Sequence, residues 1–161
     1  MKKVIVLGCL LSMISGCVLQ EEVHVDKPGQ VSYYQSEAMA ALNLPFSDAV
    51  RVGNMLYLSG NIGNVPGELR LVEGGLEAEA RQTMENIKAV LEANGTSFDH
   101  AVKLTIMMDD ISQWSRFNEI YKEYFPNNKP ARSAFGADGL ALGAALEVEC
   151  IAYIPDTTEN D

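Results

Sequence analysis

Apolar residues in the first half of the sequence follow two different periods. Residues 49–52 and 55–59 are short β-prone runs, and the Gly53-Asn54 pair between them is typical of a hairpin turn. Between residues 75 and 94 the apolar positions are separated by steps of three and four, which predicts a helix that ends at Gly95. The buried stripe of this helix is predicted to contain Ala80, Met84, Ile87 and Leu91.

The following segment predicts a strand and then a second helix. Residues 101–108 are largely apolar, which favours a strand. Asp110 is the expected N-cap, Gln113 is its capping-box partner, and Pro126 ends the helix. The buried face is predicted to contain Ile111, Trp114, Phe117, Tyr121 and either Tyr124 or Phe125.

Residues 131–135 and 146–154 predict the last two strands, and the second of them alternates strictly. One face is predicted to carry Leu146, Val148, Cys150, Ala152 and Ile154, and the other Glu147, Glu149, Ile151 and Tyr153. The order β-β-α-β-α-β-β predicts an α+β fold in two layers, with both helices on one face of a mixed sheet. The other face of the sheet would then be uncovered, which favours oligomerisation through it.

The N-terminus predicts export. Lys2 and Lys3 precede an apolar run at 4–14 that has the length of a signal-peptide core and is too short to span a bilayer. The sequence Ile14-Ser15-Gly16-Cys17 resembles a bacterial lipobox, which implies a signal peptide at 1–16 and lipidation of Cys17. Val18 after this cysteine implies a periplasmic protein anchored in the outer membrane. The alternative is an ordinary secretory peptide with an incidental cysteine.

The remaining chain is predicted to contain one folded domain. Residues 17–43 are interpreted as a tether and approach segment, 44–155 as the domain and 156–161 as a C-terminal tail. Cys150 is then the sole cysteine of the domain, so we expect no internal disulfide and a buried thiol.

Composition narrows the range of functions. Lys and Arg total 12 against 22 for Asp and Glu, and the net charge of −10 argues against a nucleic-acid partner. The 2 histidines cannot supply a zinc-finger ligand set, so we expect no structural zinc site.

Arg132 and Glu147 are the candidate chemical pair. Each lies at the start of a predicted strand, and adjacent antiparallel strands would bring the two together at one rim. A guanidinium there can bind a carboxylate through two parallel hydrogen bonds, and a carboxylate can hold a water molecule or move a proton. From the spacing alone, a purely structural Arg–Glu pair is the better explanation.

Residues 44–154 resemble the Rid family, the reactive intermediate deaminases also called RidA/YjgF. The matching segments occur in the family's order and are 45–50, Gly53-Asn54, 58–62, 82–91, 117–121, Phe125-Pro126, 130–133 and 147–152. The resemblance implies a chorismate-mutase-like fold and a homotrimer, with active sites in clefts between subunits. It also implies hydrolysis of 2-imino acids to 2-oxo acids and ammonia, without a metal or an organic cofactor.

The resemblance also implies roles for individual residues. Arg132 matches the arginine that binds the substrate carboxylate, and Glu147 matches the glutamate that positions the attacking water. The substrate-binding positions that the resemblance implies are Phe46, Ser59, Gly60, Asn61, Arg132 and Ala134.

Four positions depart from the family pattern. Phe46 replaces a tyrosine, Asp48 and Asn61 replace glutamines, and Ala134 stands where many deaminating members have a cysteine. These departures leave a second function open, a non-catalytic trimer that binds a small carboxylate metabolite. On either function, the expected partners are a 2-imino or 2-oxo acid, further copies of this chain, and a membrane only through the lipid anchor.

Overall fold

The computed structural model describes residues 29–156. The predicted signal peptide, Cys17 and the tether up to residue 28 lie outside the described residues, as does most of the predicted tail. The strands are β1 (Val31–Tyr34), β2 (Ala49–Val52), β3 (Met55–Leu58), β4 (Asn61–Ile62), β5 (Ala101–Met108), β6 (Ala131–Gly136) and β7 (Leu146–Tyr153). The helices are α1 (Glu37–Ala41), α2 (Gly75–Ala93) and α3 (Trp114–Tyr124).

One mixed sheet organises the domain. Its strand order is β1-β2-β3-β7-β5-β6, and the short β4 pairs with β7 beside β3. All pairings are antiparallel except β5 with β6, which are joined through α3 as parallel strands require. The α+β prediction and the order of its seven elements are therefore confirmed.

The predicted core stripes are also present. Ala80, Met84, Ile87 and Leu91 of α2 are fully buried against the sheet. On β7 the inward row Leu146, Val148, Cys150, Ala152 and the following Ile154 are buried, and Cys150 is a free thiol. Burial raises the pKa of this thiol to about 12, so it stays protonated and unreactive.

The start of the second helix differs from the prediction. Asp110 accepts hydrogen bonds from the Ser112 amide and from the Gln113 side chain, at 2.9 and 3.1 Å. These contacts cap a 3₁₀ turn over Ile111–Gln113, and α3 starts only at Trp114. Ile111 is therefore 45% exposed and does not belong to the buried stripe.

The domain also begins earlier than predicted. β1 pairs with β2, and α1 follows it with Ser36 as N-cap, so residues 31–41 of the predicted tether belong to the fold. The Asp48 carboxylate accepts the Ser36 amide at 2.7 Å and ties the start of α1 to the sheet. Tyr33 of β1 is 74% exposed, so this strand lacks the buried apolar row that makes a strand recognisable in sequence.

Within residues 29–156 no element covers the sheet face opposite the helices, as the predicted two-layer arrangement implies. Strand pairing places six exposed apolar side chains on it: Val31, Tyr33, Val52, Tyr57, Phe135 and Tyr153. None of the helices within residues 29–156 is long and apolar enough to cross a membrane.

Candidate active site

Glu147 lies directly beside the backbone of Gly60. Strand pairing sets Glu147 opposite Ile62 of β4, two residues after Gly60. A methyl group at Gly60 would overlap the Glu147 Oε1 atom and would lie 2.7 Å from Cδ. The absence of a side chain at position 60 therefore lets the carboxyl group reach the end of β3.

Hydrogen bonds hold the segment that follows β3. The Ser59 hydroxyl donates to the Ser47 carbonyl at 2.7 Å, and the Asn61 amide group donates to the Ser59 carbonyl at 2.8 Å. The donated proton fixes the Ser59 hydroxyl, while its oxygen retains a lone pair that can accept another hydrogen bond.

Asn86 of α2 braces the neighbouring β4 strand. Its side-chain nitrogen donates to the carbonyls of Ile62 and Asn64 at 3.1 and 3.0 Å, and its oxygen accepts from Gln82 at 2.8 Å. Sequence reasoning did not identify Asn86 as a site residue. An asparagine inside a long helix is the available signal, because its side chain competes with helical hydrogen bonding unless it has partners elsewhere.

These residues line one cavity of about 630 Å³. Five of the predicted site residues meet there: Phe46, Ser59, Gly60, Asn61 and Glu147. Asp48, Asn64 and Asn86 are further polar residues of the lining. Most of the remaining wall is apolar and comes from α1, α2 and the loop after β4.

Glu147 is a half-buried carboxyl group in this cavity. Partial removal from water raises its pKa above the ordinary glutamate value, and the nearby negative charge of Glu149 raises it further. A carboxyl group of this kind retains a proton more readily than an exposed one, which suits a group that exchanges protons with a bound water.

Arg132 lies in a different place. Its guanidinium stacks between Trp114 and Tyr121 of α3, 4.3 and 4.6 Å from the ring centroids, and donates to Asn118 Oδ1 at 2.9 Å. A second hollow of about 440 Å³ opens beside it. The buried Tyr121 hydroxyl has no hydrogen-bond partner among the described residues, and burial raises its pKa to about 12. The stacked guanidinium remains exposed to solvent.

The expected meeting of Arg132 and Glu147 on adjacent strands is wrong for a single chain. β5 lies between β6 and β7, so the two strands are not neighbours. Arg132 pairs with the buried Leu104 and therefore points to the helical face of the sheet, whereas Glu147 belongs to the outward row of β7. Ala134 shares the Arg132 row, and it also lies apart from the cavity that holds Glu147.

A structural Arg132–Glu147 pair is absent from the described residues for the same reason. No group of three or more His, Cys, Asp or Glu side chains within 29–156 converges in a way that would hold a metal ion.

Comparison with known proteins identifies the family. The family model described as endoribonuclease L-PSP matches residues 36–154. The 2-iminobutanoate/2-iminopropanoate deaminase of Homo sapiens is 42% identical over 108 residues, which are 67% of this chain and 79% of the human protein. Reactive Intermediate Deaminase A, chloroplastic, of Arabidopsis thaliana is 36% identical over 144 residues, 89% of this chain and 71% of the plant protein.

Solved structures share the fold. The crystal structure of the Rid-family protein YyfA from Yersinia pestis aligns with a TM-score of 0.72 at 36% identity, and the match covers 78% of this chain and 100% of that one. The cavity with Glu147 against Gly60 is therefore built on a backbone that this group of proteins has in common. The sequence-based assignment is confirmed: the chain belongs to the Rid (RidA/YjgF/L-PSP) family.

Proposed function

We propose that this protein hydrolyses reactive 2-imino acids to 2-oxo acids and ammonia. The observation that carries the proposal is the half-buried Glu147 carboxyl group set against Gly60 in a cavity large enough for a substrate. The names of the human and plant relatives, an iminobutanoate/iminopropanoate deaminase and a reactive intermediate deaminase, agree with it.

Hydrolysis of an imine requires few catalytic groups from the protein. The imine carbon is electrophilic, so holding a water molecule beside it removes most of the entropic barrier to attack. Glu147 accepts one proton from that water as the carbon–oxygen bond forms and passes it to nitrogen, which gives a carbinolamine. It then transfers the remaining hydroxyl proton to nitrogen as the carbonyl forms and the carbon–nitrogen bond breaks, so that both protons of the water leave on ammonia. In this proposal the Ser59 oxygen and the backbone at Gly60, which both line the cavity, contact the imine nitrogen.

Arg132 is assigned to the substrate carboxylate. Its planar guanidinium suits two parallel hydrogen bonds to a carboxylate, and stacking on Trp114 and Tyr121 holds that plane in one orientation. Because Arg132 and Glu147 of one chain lie on opposite sides of the sheet, we place each active site between two copies of the chain. Arg132 of one copy then faces the Glu147 cavity of another.

A homotrimer formed through the uncovered sheet face supports this arrangement. Isolated soluble proteins rarely expose an apolar surface as broad as the six side chains found here. Burying Tyr33, Tyr57 and Tyr153 between copies removes that surface from water, which favours the assembly that the proposed site requires.

The proposed location is the outer membrane, facing the periplasm, through a lipid on Cys17. The lipobox-like sequence 14–17 supports it. Cys17→Ser is expected to leave the protein unlipidated and the signal peptide uncleaved by the lipoprotein peptidase, which mass spectrometry of the cell envelope measures. A lipidated product from the serine variant would contradict the anchor.

Imine turnover tests the activity. An amino-acid oxidase generates 2-iminopropanoate or 2-iminobutanoate in situ, and semicarbazide traps the imine that escapes hydrolysis. We expect the native protein to lower the trapped product and Arg132→Ala to lose this effect, with KM raised because the carboxylate anchor is gone. Arg81→Ala is the matched control, since Arg81 pairs with Glu123 on the helical surface away from both hollows.

The same experiment separates the second function. If the native protein and Arg132→Ala both leave the trapped product unchanged while a 2-oxo acid raises the Tm of the native protein alone, the protein is a carboxylate-binding trimer without catalysis. RNA is not the proposed substrate, because the net charge of −10 repels a phosphate backbone.

A further inference from the structure

The cavity beside Glu147 is much larger than a short imino acid requires. Its volume of about 630 Å³ falls in the range of pockets that hold drug-sized ligands, about 300–1,000 Å³. A three- or four-carbon 2-imino acid has only six or seven non-hydrogen atoms and would occupy a small part of the space that one chain provides.

The extra space has an apolar wall. Met39 of α1 and Leu42, the residue that caps the end of α1, line it on one side, and Ala89 and Val90 of α2 line it on another. Phe46 also lines it, and it carries no hydroxyl group that would hold water there. The polar groups of the cavity lie near the ends of β3 and β4, at Glu147 and at Asn86, and the rest of the helical wall is largely apolar. Such a cavity matches a ligand that has one polar end and one apolar end.

The α1 wall is part of the folded structure and is held by specific contacts. The Ser36 hydroxyl accepts the Met39 amide at 3.3 Å, and the buried Asp48 carboxylate accepts the Ser36 amide. A Cβ atom added at Gly67 would lie 3.5 Å from the Ala38 side chain, so α1 also approaches the loop after β4.

We propose that this cavity binds the side chain of the substrate and that the preferred substrates are 2-imino acids with large apolar side chains, of the leucine, methionine or phenylalanine type. This inference rests on the proposed function. The imine and carboxylate stay at Glu147 and Arg132, and the side chain lies against α1 and α2. Each methylene group that enters such a pocket changes kcat/KM by about 10-fold or more.

A comparison of imines tests the preference. Amino-acid oxidase is adjusted to produce equal fluxes of the imines of leucine and alanine, and semicarbazide competition gives kcat/KM for each with the full chain. We expect kcat/KM for the leucine-derived imine to exceed that for the alanine-derived imine at least tenfold. Ala89→Leu, which fills the cavity from α2, is expected to lower this ratio at least tenfold.

Two further variants control the result. Ala38→Leu fills the cavity from the α1 side and must lower the ratio as well. Ala93→Leu makes the same change one helical turn after Ala89, at an exposed position outside the cavity, and must leave the ratio unchanged. Thermal unfolding verifies that all three variants are folded.

The outcomes distinguish the two proposals. The side-chain preference is wrong if both imines are hydrolysed with a kcat/KM ratio near one. It is also wrong if Ala89→Leu and Ala38→Leu leave that ratio unchanged. In both cases the proposed deaminase activity is retained. If neither imine is hydrolysed, the proposed deaminase activity is wrong. The preference for a large apolar side chain is then tested by the Tm shifts that 4-methyl-2-oxopentanoate and pyruvate produce. A larger shift with 4-methyl-2-oxopentanoate that Ala89→Leu abolishes supports it, and equal shifts overturn it.

Discussion

At the scale of single residues, Gly60 and Glu147 depend on each other. A side chain at position 60 would overlap only the far end of Glu147, which can rotate away at little cost to folding. Gly60→Ala is therefore expected to leave Tm nearly unchanged while it displaces the carboxyl group and lowers kcat about 100-fold or more, the usual contribution of a positioned acid or base.

A double-mutant cycle measures this dependence. Glu147→Ala removes the group that Gly60→Ala displaces, so the double variant is expected to be no slower than Glu147→Ala alone. Steady-state kinetics in the imine trap measures the three variants. Additive losses would mean that Gly60 acts on the reaction without Glu147.

Glu147 also makes stability depend on pH. Its pKa is raised by burial and by Glu149, so at pH values between the ordinary and the raised pKa the native state binds more protons than the unfolded state. The free energy of unfolding therefore falls as pH rises through that interval, and the penalty is complete once the pH exceeds the raised pKa. Glu147→Gln removes the charge and is expected to raise Tm at pH 7.

Thermal unfolding at two pH values verifies the cause. The difference in Tm between Glu147→Gln and the native protein should shrink towards pH 4, where the native carboxyl group is itself protonated. The exposed Glu73→Gln provides the matched control. A gain that is equal at both pH values would mean that packing, and not ionisation, accounts for it.

At the scale of secondary-structure elements, regular periods made most of the fold predictable. The α2 stripe and the alternation in β7 identify elements whose burial follows one simple repeat. The sequence did not predict β1, α1 and β4, because these elements are only two to five residues long and depend on partners distant in sequence. The predicted start of the second helix was wrong because a carboxylate such as that of Asp110 caps a 3₁₀ turn as well as an α-helix.

The short β4 strand relies on a helix for its position. Asn86 donates to the part-buried carbonyls of Ile62 and Asn64 and accepts from Gln82. Asn86→Ala is expected to lower the free energy of unfolding by about 1–3 kcal/mol, because it removes these hydrogen bonds at about 0.5–1.5 kcal/mol each. Chemical denaturation measures it, and Lys88→Ala on the exposed side of α2 should change stability by less than about 0.5 kcal/mol.

At the scale of the whole molecule, the fold gathers most of the residues that the family resemblance selected, but it separates the Arg132–Glu147 pair that sequence spacing predicted. Phe46, Ser59, Gly60, Asn61 and Glu147 meet in one cavity, although they come from three separate segments. Arg132 was expected beside them because β6 and β7 are consecutive in sequence. The insertion of β5 between them depends on the parallel crossover through α3, which no local pattern in the sequence records.

That separation leads to a test of the proposed assembly. Arg132→Ala and Glu147→Gln are each expected to be inactive alone. If every site combines Arg132 of one copy with Glu147 of its neighbour, trimers that form at random from an equal mixture contain both native residues at about one quarter of their sites. Co-refolding the two variants should then recover about one quarter of the native kcat.

Two controls show whether the recovered activity comes from mixed trimers. Light scattering of the mixed sample should give three times the mass of one chain, and the two variants refolded separately and then assayed together should remain inactive. Tyr57→Lys places a charge on the uncovered face. It is expected to produce monomers and to abolish the recovery, because the Glu147 cavity then has no neighbouring guanidinium. If activity stays absent in correctly mixed trimers, Arg132 of one copy and Glu147 of its neighbour do not form one site, and the proposed assembly is wrong.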